Sequence, residues 1–371
     1  SRISGLDKPF APIQLGRGCR ANCMFCGVTK FMGRDVRACP PNDLLDEITY
    51  LVEQKGVRHF EWLDDDLLGE ADALKEVLKG MAELRKKYGI TWYANNGLIA
   101  AFITDELLKL MVDSGSLGFK IGVESGNADM LKRIRKPATL GKVRRACELI
   151  NRYPSLMAQG NYIIGFFAEE TFGQMLDSYR LACETRLDWT SFSVFQFTST
   201  PAIVQDKLKK KDLGDTAVIP ARDRPDGRLT TENVVMGPEV FNLPKDLVPS
   251  PDQVRQIWLA FNLSCNYFAN KNLRPGGNHA KFTTWTSTLE VTYPYNAYIP
   301  LFTALGYVLQ GNMASADRHL ERARTNLGKD NYWREIAERF ELAPLYKDFP
   351  REPQKVYDVL EKLSSRYRPW T

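Results

Sequence analysis

Histidine is scarce in this chain: His59, His279 and His319 are the three among 371 residues, far apart and without ligand spacing. That excludes a histidine-built metal site, whose ligands recur at short fixed intervals. The single Cys-x2-Cys has no second one to complete a four-thiolate zinc site. No apolar run approaches the ~18 residues of a membrane helix, and no signal peptide is evident. Charge of one sign is not in excess either. Fifty basic against 45 acidic residues, net +5, leaves no footprint for nucleic acid. The local run Lys207–Lys211 reads as a solvated helix or loop face. A disulfide framework is also missing, because the count of 7 cysteines is odd and Cys39, Cys147, Cys183 and Cys265 are widely separated. These four read as free, mostly buried thiols, and a reducing cytoplasm is the expected location. Hydrophobic content of 44% and charged content of 26% are those of a globular protein. The length suggests two domains.

What is present is concentrated in Cys19-Arg20-Ala21-Asn22-Cys23-Met24-Phe25-Cys26. Three cysteines at spacing C-x3-C-x2-C follow the apolar Pro12-Ile13-Gln14-Leu15 and the glycines Gly16 and Gly18. A short loop at the end of a strand can wrap three thiolates around one iron–sulfur cube. Such clusters normally take four thiolates. Three leave one iron with an open position, as catalytic metal sites require and structural sites avoid.

Beyond the loop, short apolar runs alternate with helical periodicity from about residue 10 to 200, the pattern of βα units around a parallel sheet. Strands are expected at Pro12–Leu15, Val57–Leu63, Ile90–Ala94, Gly118–Val123, Gln159–Gly165 and Trp189–Phe197. Helices are expected at Asp43–Val52, Asp72–Tyr88, Thr104–Ser114, Leu140–Arg152 and Thr171–Thr185. This predicts a partial (β/α)6 TIM-type barrel over 1–200. In such barrels chemistry sits at the C-terminal strand ends. The cysteine loop, Asp64-Asp65, Asn95-Asn96 and Glu124-Ser125 follow the first four strands in order.

The cysteine loop resembles the signature of the radical S-adenosylmethionine superfamily. Trp62-Leu63-Asp64-Asp65-Asp66-Leu67 is similar to the second-strand element of the group that contains cobalamin-dependent methyltransferases and methylthiotransferases. Ile121-Gly122-Val123-Glu124-Ser125-Gly126 is similar to its Gly-x-Glu-Ser-Gly element. Ile163-Ile164-Gly165 through Glu169-Glu170-Thr171 is similar to its fifth-strand Gly-x-Pro-x-Glu-Thr, with Phe166-Phe167-Ala168 in place of the proline turn. The resemblance implies that Cys19, Cys23 and Cys26 bind a [4Fe–4S] cluster whose open iron chelates S-adenosylmethionine, with Phe25 beside the adenine. It implies that Asp64 or Asp65 accepts from the cofactor's ammonium group and that Glu124 or Ser125 bonds its ribose or methionyl end. Asn161 and Gln196 face either the barrel mouth or backbone partners.

Residues 201–250, rich in proline and glycine, read as a connector. From 251 to 371 helical periodicity returns as an α-helical cap. Ala304, Tyr307, Gly311, Ala316, Leu320 and Ala323 match one tetratricopeptide-like hairpin. The aromatic run Tyr293–Tyr298 lines a substrate entrance or packs the cap.

The expected activity is reductive cleavage of S-adenosylmethionine to a 5′-deoxyadenosyl radical that abstracts hydrogen from an unactivated C–H bond. Cobalamin-linked C-methylation and cobalamin-independent rearrangement or oxidation stay open. A non-catalytic iron–sulfur binding or assembly protein using the helical arm is the reading from another class. The partners implied are a substrate and an electron donor such as flavodoxin or ferredoxin. The chain enters its first strand by Leu15, so a cobalamin-binding domain would be an upstream one lying outside this sequence.

Overall fold

The computed structural model describes residues 9–196 and 237–368. Six strands form one sheet in chain order: β1 (Phe10–Ile13), β2 (His59–Trp62), β3 (Thr91–Leu98), β4 (Ser116–Glu124), β5 (Met157–Ile164) and β6 (Trp189–Val194). The pairings from β1 to β5 are parallel, so each connection must cross back over the sheet. The crossovers carry α1 (Pro41–Lys55), α2 (Ala71–Tyr88), α3 (Asp105–Asp113), α4 (Ala128–Arg133), α5 (Leu140–Asn151) and α6 (Phe172–Thr185). This is the expected partial barrel, accompanied by a helical region.

Strand alternation gives the sheet two unlike faces. Ala11, Phe60, Trp92, Ala94 and Phe119 share one face by register and are buried. Trp92 Nε1 donates to Ser114 Oγ (3.0 Å) just past α3, so this face meets the helices. His59, Glu61, Thr91 and Tyr93 share the opposite face.

Several boundaries differ from expectation. The third strand runs on to Leu98, with its register slipping between Ala94 and Gly97. Asn95 and Asn96 therefore lie within the strand rather than after it. A two-residue pairing of Gly16–Arg17 with Arg37–Ala38 and a helical turn at Val28–Phe31 shape the loop after β1. Of the four cysteines outside the motif only Cys147 is buried; Cys39, Cys183 and Cys265 are half-buried.

By contacts the chain divides into two compact units. Among described residues the first holds 9–163 and 180–191, and the second 164–179, 192–196 and 237–368. The connector expected over 201–250 lies outside the described residues through 236, as does the basic run Lys207–Lys211.

In the second unit α7 (Pro251–Leu263) opens on a capping box between Ser250 and Gln253, which satisfies two otherwise orphaned backbone donors. Next come α8 (His279–Thr292), α9 (Tyr298–Leu309) and α10 (Met313–Lys329), then α11 (Asn331–Arg339), α12 (Ala343–Lys347) and α13 (Pro353–Arg366). The expected hairpin is α9 and α10: Ala304, Ala316, Leu320 and Ala323 are buried, and Gly311 turns the chain at φ 71°. In the aromatic run, Asn296 and Ala297 are buried while Tyr295 is exposed. Asn326 Nδ2 donates to the Pro294 and Asn296 carbonyls (3.0 and 2.8 Å), which gives the run a packing role. Among described residues no helix is long and apolar enough to cross a membrane.

Candidate functional site

The loop after β1 is held by backbone contacts from three directions. The Asp64 carboxylate, just past β2, accepts from Gly16 N (2.6 Å) and Leu15 N (3.1 Å). Cys19 N donates to Gly33 O (3.2 Å), and Met24 N donates to Ile134 O (3.0 Å) beyond α4. Gly18 has φ +100°, and a Cβ there would lie 2.3 Å from Asp35 O. Only glycine fits such a turn. Arg20 pairs with buried Asp66 (2.8 Å), donates to Leu68 O (2.6 Å) and stacks 3.8 Å over the Phe102 ring.

The cysteines themselves are half-buried free thiols. Burial pushes the Cys23 thiol up to about 11, while Lys136 pulls the other way. Burial also raises Cys19. Phe25, between Cys23 and Cys26, is half-buried.

Glu124 ends β4 in a left-handed conformation (φ 69°), strained for a residue with a side chain. Its carboxylate meets Lys136 Nζ at 2.8 Å, and both side chains are buried. Gly122 makes room for the pair, since a Cβ there would lie 2.6 Å from Glu124 Oε1 and 2.7 Å from Lys136 Nζ. Burial disfavours the Lys136 charge, but Glu124 and the thiols of Cys23 and Cys19 offset it and leave its pKa raised. A cation thus stands beside the cysteine loop.

The two aspartates differ. Asp64 is occupied by backbone amides, and burial lifts its carboxyl to about 6. Asp65 is half-buried and its carboxylate makes no hydrogen bond among the described residues. Ser125 Oγ accepts from Asn127 N (3.1 Å), and Asn127 caps α4 by accepting from Met130 N (3.0 Å). Asn161 Oδ1 accepts from Gln159 Nε2 (2.8 Å) on β5. Gln196 is exposed and belongs to the second unit. Near the fifth-strand element, Glu170 accepts from Gly165 N (2.7 Å) and Phe166 N (3.1 Å), with Phe167 and Ala168 both at positive φ.

The structure brings Cys19, Cys23, Glu124 and Lys136 into one neighbourhood. Lys136 was not singled out from sequence. Its signal is the basic run Lys132-Arg133-Ile134-Arg135-Lys136 at the exit of α4.

Among the described residues no trio of His, Cys, Asp or Glu converges on a single ion. Three thiols on one shaped loop, beside a buried cation, would suit an iron–sulfur cluster.

Comparison with known proteins agrees. The Radical SAM superfamily model matches residues 13–182. This stretch belongs to the radical SAM superfamily. Cytidylyl-2-hydroxyethylphosphonate methyltransferase of Streptomyces wedmorensis is 30% identical over 52% of this chain and 36% of its own length. Anaerobic magnesium-protoporphyrin IX monomethyl ester cyclase of Rubrivivax gelatinosus is 26% identical over 56% of this chain and 37% of its own. The chain thus spans little more than a third of these curated relatives. The structure of the radical S-adenosylmethionine methyltransferase TsrM from Kitasatospora setae, with cobalamin and a [4Fe–4S] cluster bound, aligns with 87% of this chain and 62% of its own. The identity is 13% and the TM-score 0.48. The cofactors that accompany the radical SAM superfamily are a [4Fe–4S] cluster and S-adenosylmethionine.

Proposed function

We propose that this chain is a radical S-adenosylmethionine enzyme in which Cys19, Cys23 and Cys26 hold three irons of a [4Fe–4S] cluster. When bound, the cluster supplies one electron to S-adenosylmethionine, which splits to methionine and a 5′-deoxyadenosyl radical that takes hydrogen from an unactivated C–H bond.

The chain's own residues prepare the seat. Asp64 fixes the entry of the cysteine loop through two backbone amides. Lys136 balances thiolate charge, and Glu124 holds Lys136 in place. Asp65 is left to accept from the cofactor's ammonium group, Ser125 to bond its ribose or methionyl end, and Phe25 to cover the adenine. Asn161 is assigned to the mouth of the barrel, while Gln196 belongs to the second unit. One observation carries the reading: the thiols and the Glu124–Lys136 pair gather at the C-terminal ends of parallel strands, where barrel chemistry sits.

The finer assignment is cobalamin-linked C-methylation, supported by a relative named as a methyltransferase. A cobalamin-independent oxidation or rearrangement is the second reading, favoured by the relative named as a cyclase. The reaction draws its electron from a reductant of the flavodoxin or ferredoxin type, with cobalamin carried by a further domain.

The test is anaerobic. The reconstituted protein is given S-adenosylmethionine and a strong reductant, and 5′-deoxyadenosine and S-adenosylhomocysteine are quantified with and without cobalamin. Deoxyadenosine is the expected product, reduced to background in Cys23→Ala. S-adenosylhomocysteine that appears only with cobalamin assigns methyl transfer; deoxyadenosine alone assigns the second reading. Neither product from a fully loaded protein overturns both and leaves a binding or assembly role.

A further inference from the structure

The segment between Cys26 and Cys39 divides its apolar side chains between two duties. Val36 turns inward: a Cβ on Gly69 would lie 2.7 Å from its Cγ2, and one on Gly16 3.2 Å from its Cγ1. Phe31 and Met32 instead stand in solvent, 74% and 41% exposed, and the helical turn Val28–Phe31 buries none of its residues. The segment is nevertheless firmly held. Met32 N donates to Val28 O (2.8 Å) and Cys19 N to Gly33 O (3.2 Å). The Arg37 guanidinium donates to Met32 O (2.8 Å) and Asp35 O (3.0 Å). Neighbouring apolar side chains held outward on a fixed backbone serve a contact better than they serve a core.

The rim of this surface is basic. Arg17, Lys30, Arg34 and Arg37 are exposed, and Asp35 is the single acid within residues 27–38. Arg17 and Arg37 face each other across the two-residue pairing, where like charges are destabilising. Arg17 Nε donates to Gln14 Oε1 (3.2 Å), an uncharged acceptor. None of the four cations makes an ion pair among the described residues. The fold thus keeps a repulsion that it does not relieve, and an acidic surface laid over it would. Phe31 stands five positions after Cys26, and Gly33 O holds Cys19, so the patch is continuous with the cysteine loop.

We propose that this surface docks an acidic one-electron carrier of the flavodoxin or ferredoxin type. Phe31 and Met32 form the contact centre, and Arg17, Lys30, Arg34 and Arg37 form the rim. A small apolar centre within a charged rim is the build of a brief electron-transfer encounter, quickly steered and quickly released. The carrier is oxidised by one electron there and the cluster is reduced by one. That purpose rests on the radical reading above; the docking does not.

The experiment uses the cluster-loaded protein and an acidic flavodoxin. Binding of the oxidised flavodoxin is followed by flavin fluorescence anisotropy at low and high salt. Cluster reduction by the reduced flavodoxin is followed by stopped-flow absorbance. Lys30→Glu combined with Arg34→Glu should weaken binding and slow cluster reduction by about tenfold or more, and flatten the salt dependence of both. Phe31→Ala should weaken binding without changing that salt dependence. Reduced methyl viologen, a small cation, should reduce the cluster of each variant no more slowly than that of the wild type. Unchanged binding and reduction in the double variant, or equal slowing with both reductants, overturns the proposal. A single-stranded RNA oligonucleotide that displaces flavodoxin and binds more tightly assigns the patch to nucleic acid and overturns it too. Deoxyadenosine formation with methyl viologen is measured on the same wild-type samples. Deoxyadenosine without an effect of the patch on flavodoxin removes the docking surface and keeps the radical reading. Patch-dependent flavodoxin binding without deoxyadenosine does the reverse.

Discussion

Glu290 and Lys120 show how differently the two units treat a buried or half-buried charge. In the helical unit Glu290 on α8 is met on both oxygens, by His319 Nδ1 at 2.7 Å and Arg322 Nη1 at 3.0 Å, both from α10. Tyr307 stacks on the same imidazole, with ring centres 5.1 Å apart. In the barrel unit Lys120 has no direct partner among the described residues. The helical unit closes this charge to hold helices together, whereas the barrel unit both closes one charge, at Glu124 and Lys136, and leaves Lys120 without a direct partner among the described residues.

The sharpest way to break this comparison lies at the barrel's own closed pair, Glu124 and Lys136. Replacing Lys136 with Met strands a buried carboxylate, and a loss of about 3–5 kcal/mol is expected in urea unfolding of the metal-free protein. A loss below about 1 kcal/mol, the scale of an exposed pair, would show that the pair does not support the fold.

A second test uses pH. Burial lifts the Glu170 carboxyl to about 8 against its two backbone donors, so the second unit buries it as a neutral acid near pH 7. The folded protein then holds a proton that the unfolded chain releases near the ordinary carboxyl range. Stability is greatest below that range and falls as pH rises toward 8, by at most about 1.4 kcal/mol per pH unit. Asp64, lifted to about 6 by burial, adds a decline of the same sign that ends earlier. Thermal melts across this window should flatten in Glu170→Gln. An unchanged slope would remove Glu170 as its source.

The smallest effect is expected at Glu290→Gln, where an amide keeps one acceptor and loses the charge. About 2 kcal/mol is expected, read from the urea midpoint. His319→Ala in the same background should add little, because residues of one network do not act additively.

The six strands and five of the crossover helices were legible because hydrophobic period is written directly in residue order. Departures arose where structure depends on partners remote in sequence. Asn95 and Asn96 look like the close of a strand, yet a register slip against β4 carries the strand past them to Leu98. Ala128–Arg133 is too short to show a helical period, although Asn127 marks its cap. In the candidate site the cysteines announced themselves by spacing. Asp64 was legible as a buried acid at a strand end but not in its action, since its donors are backbone amides that every residue shares. Lys136 looked like one cation in a basic run. The return of Met24 N to Ile134 O sets its segment beside the cysteine loop.

On the reading proposed above, a cluster would enter a loop that the chain's own Asp64 bends at Leu15 and Gly16, so shaping the loop and loading it would be separate tasks.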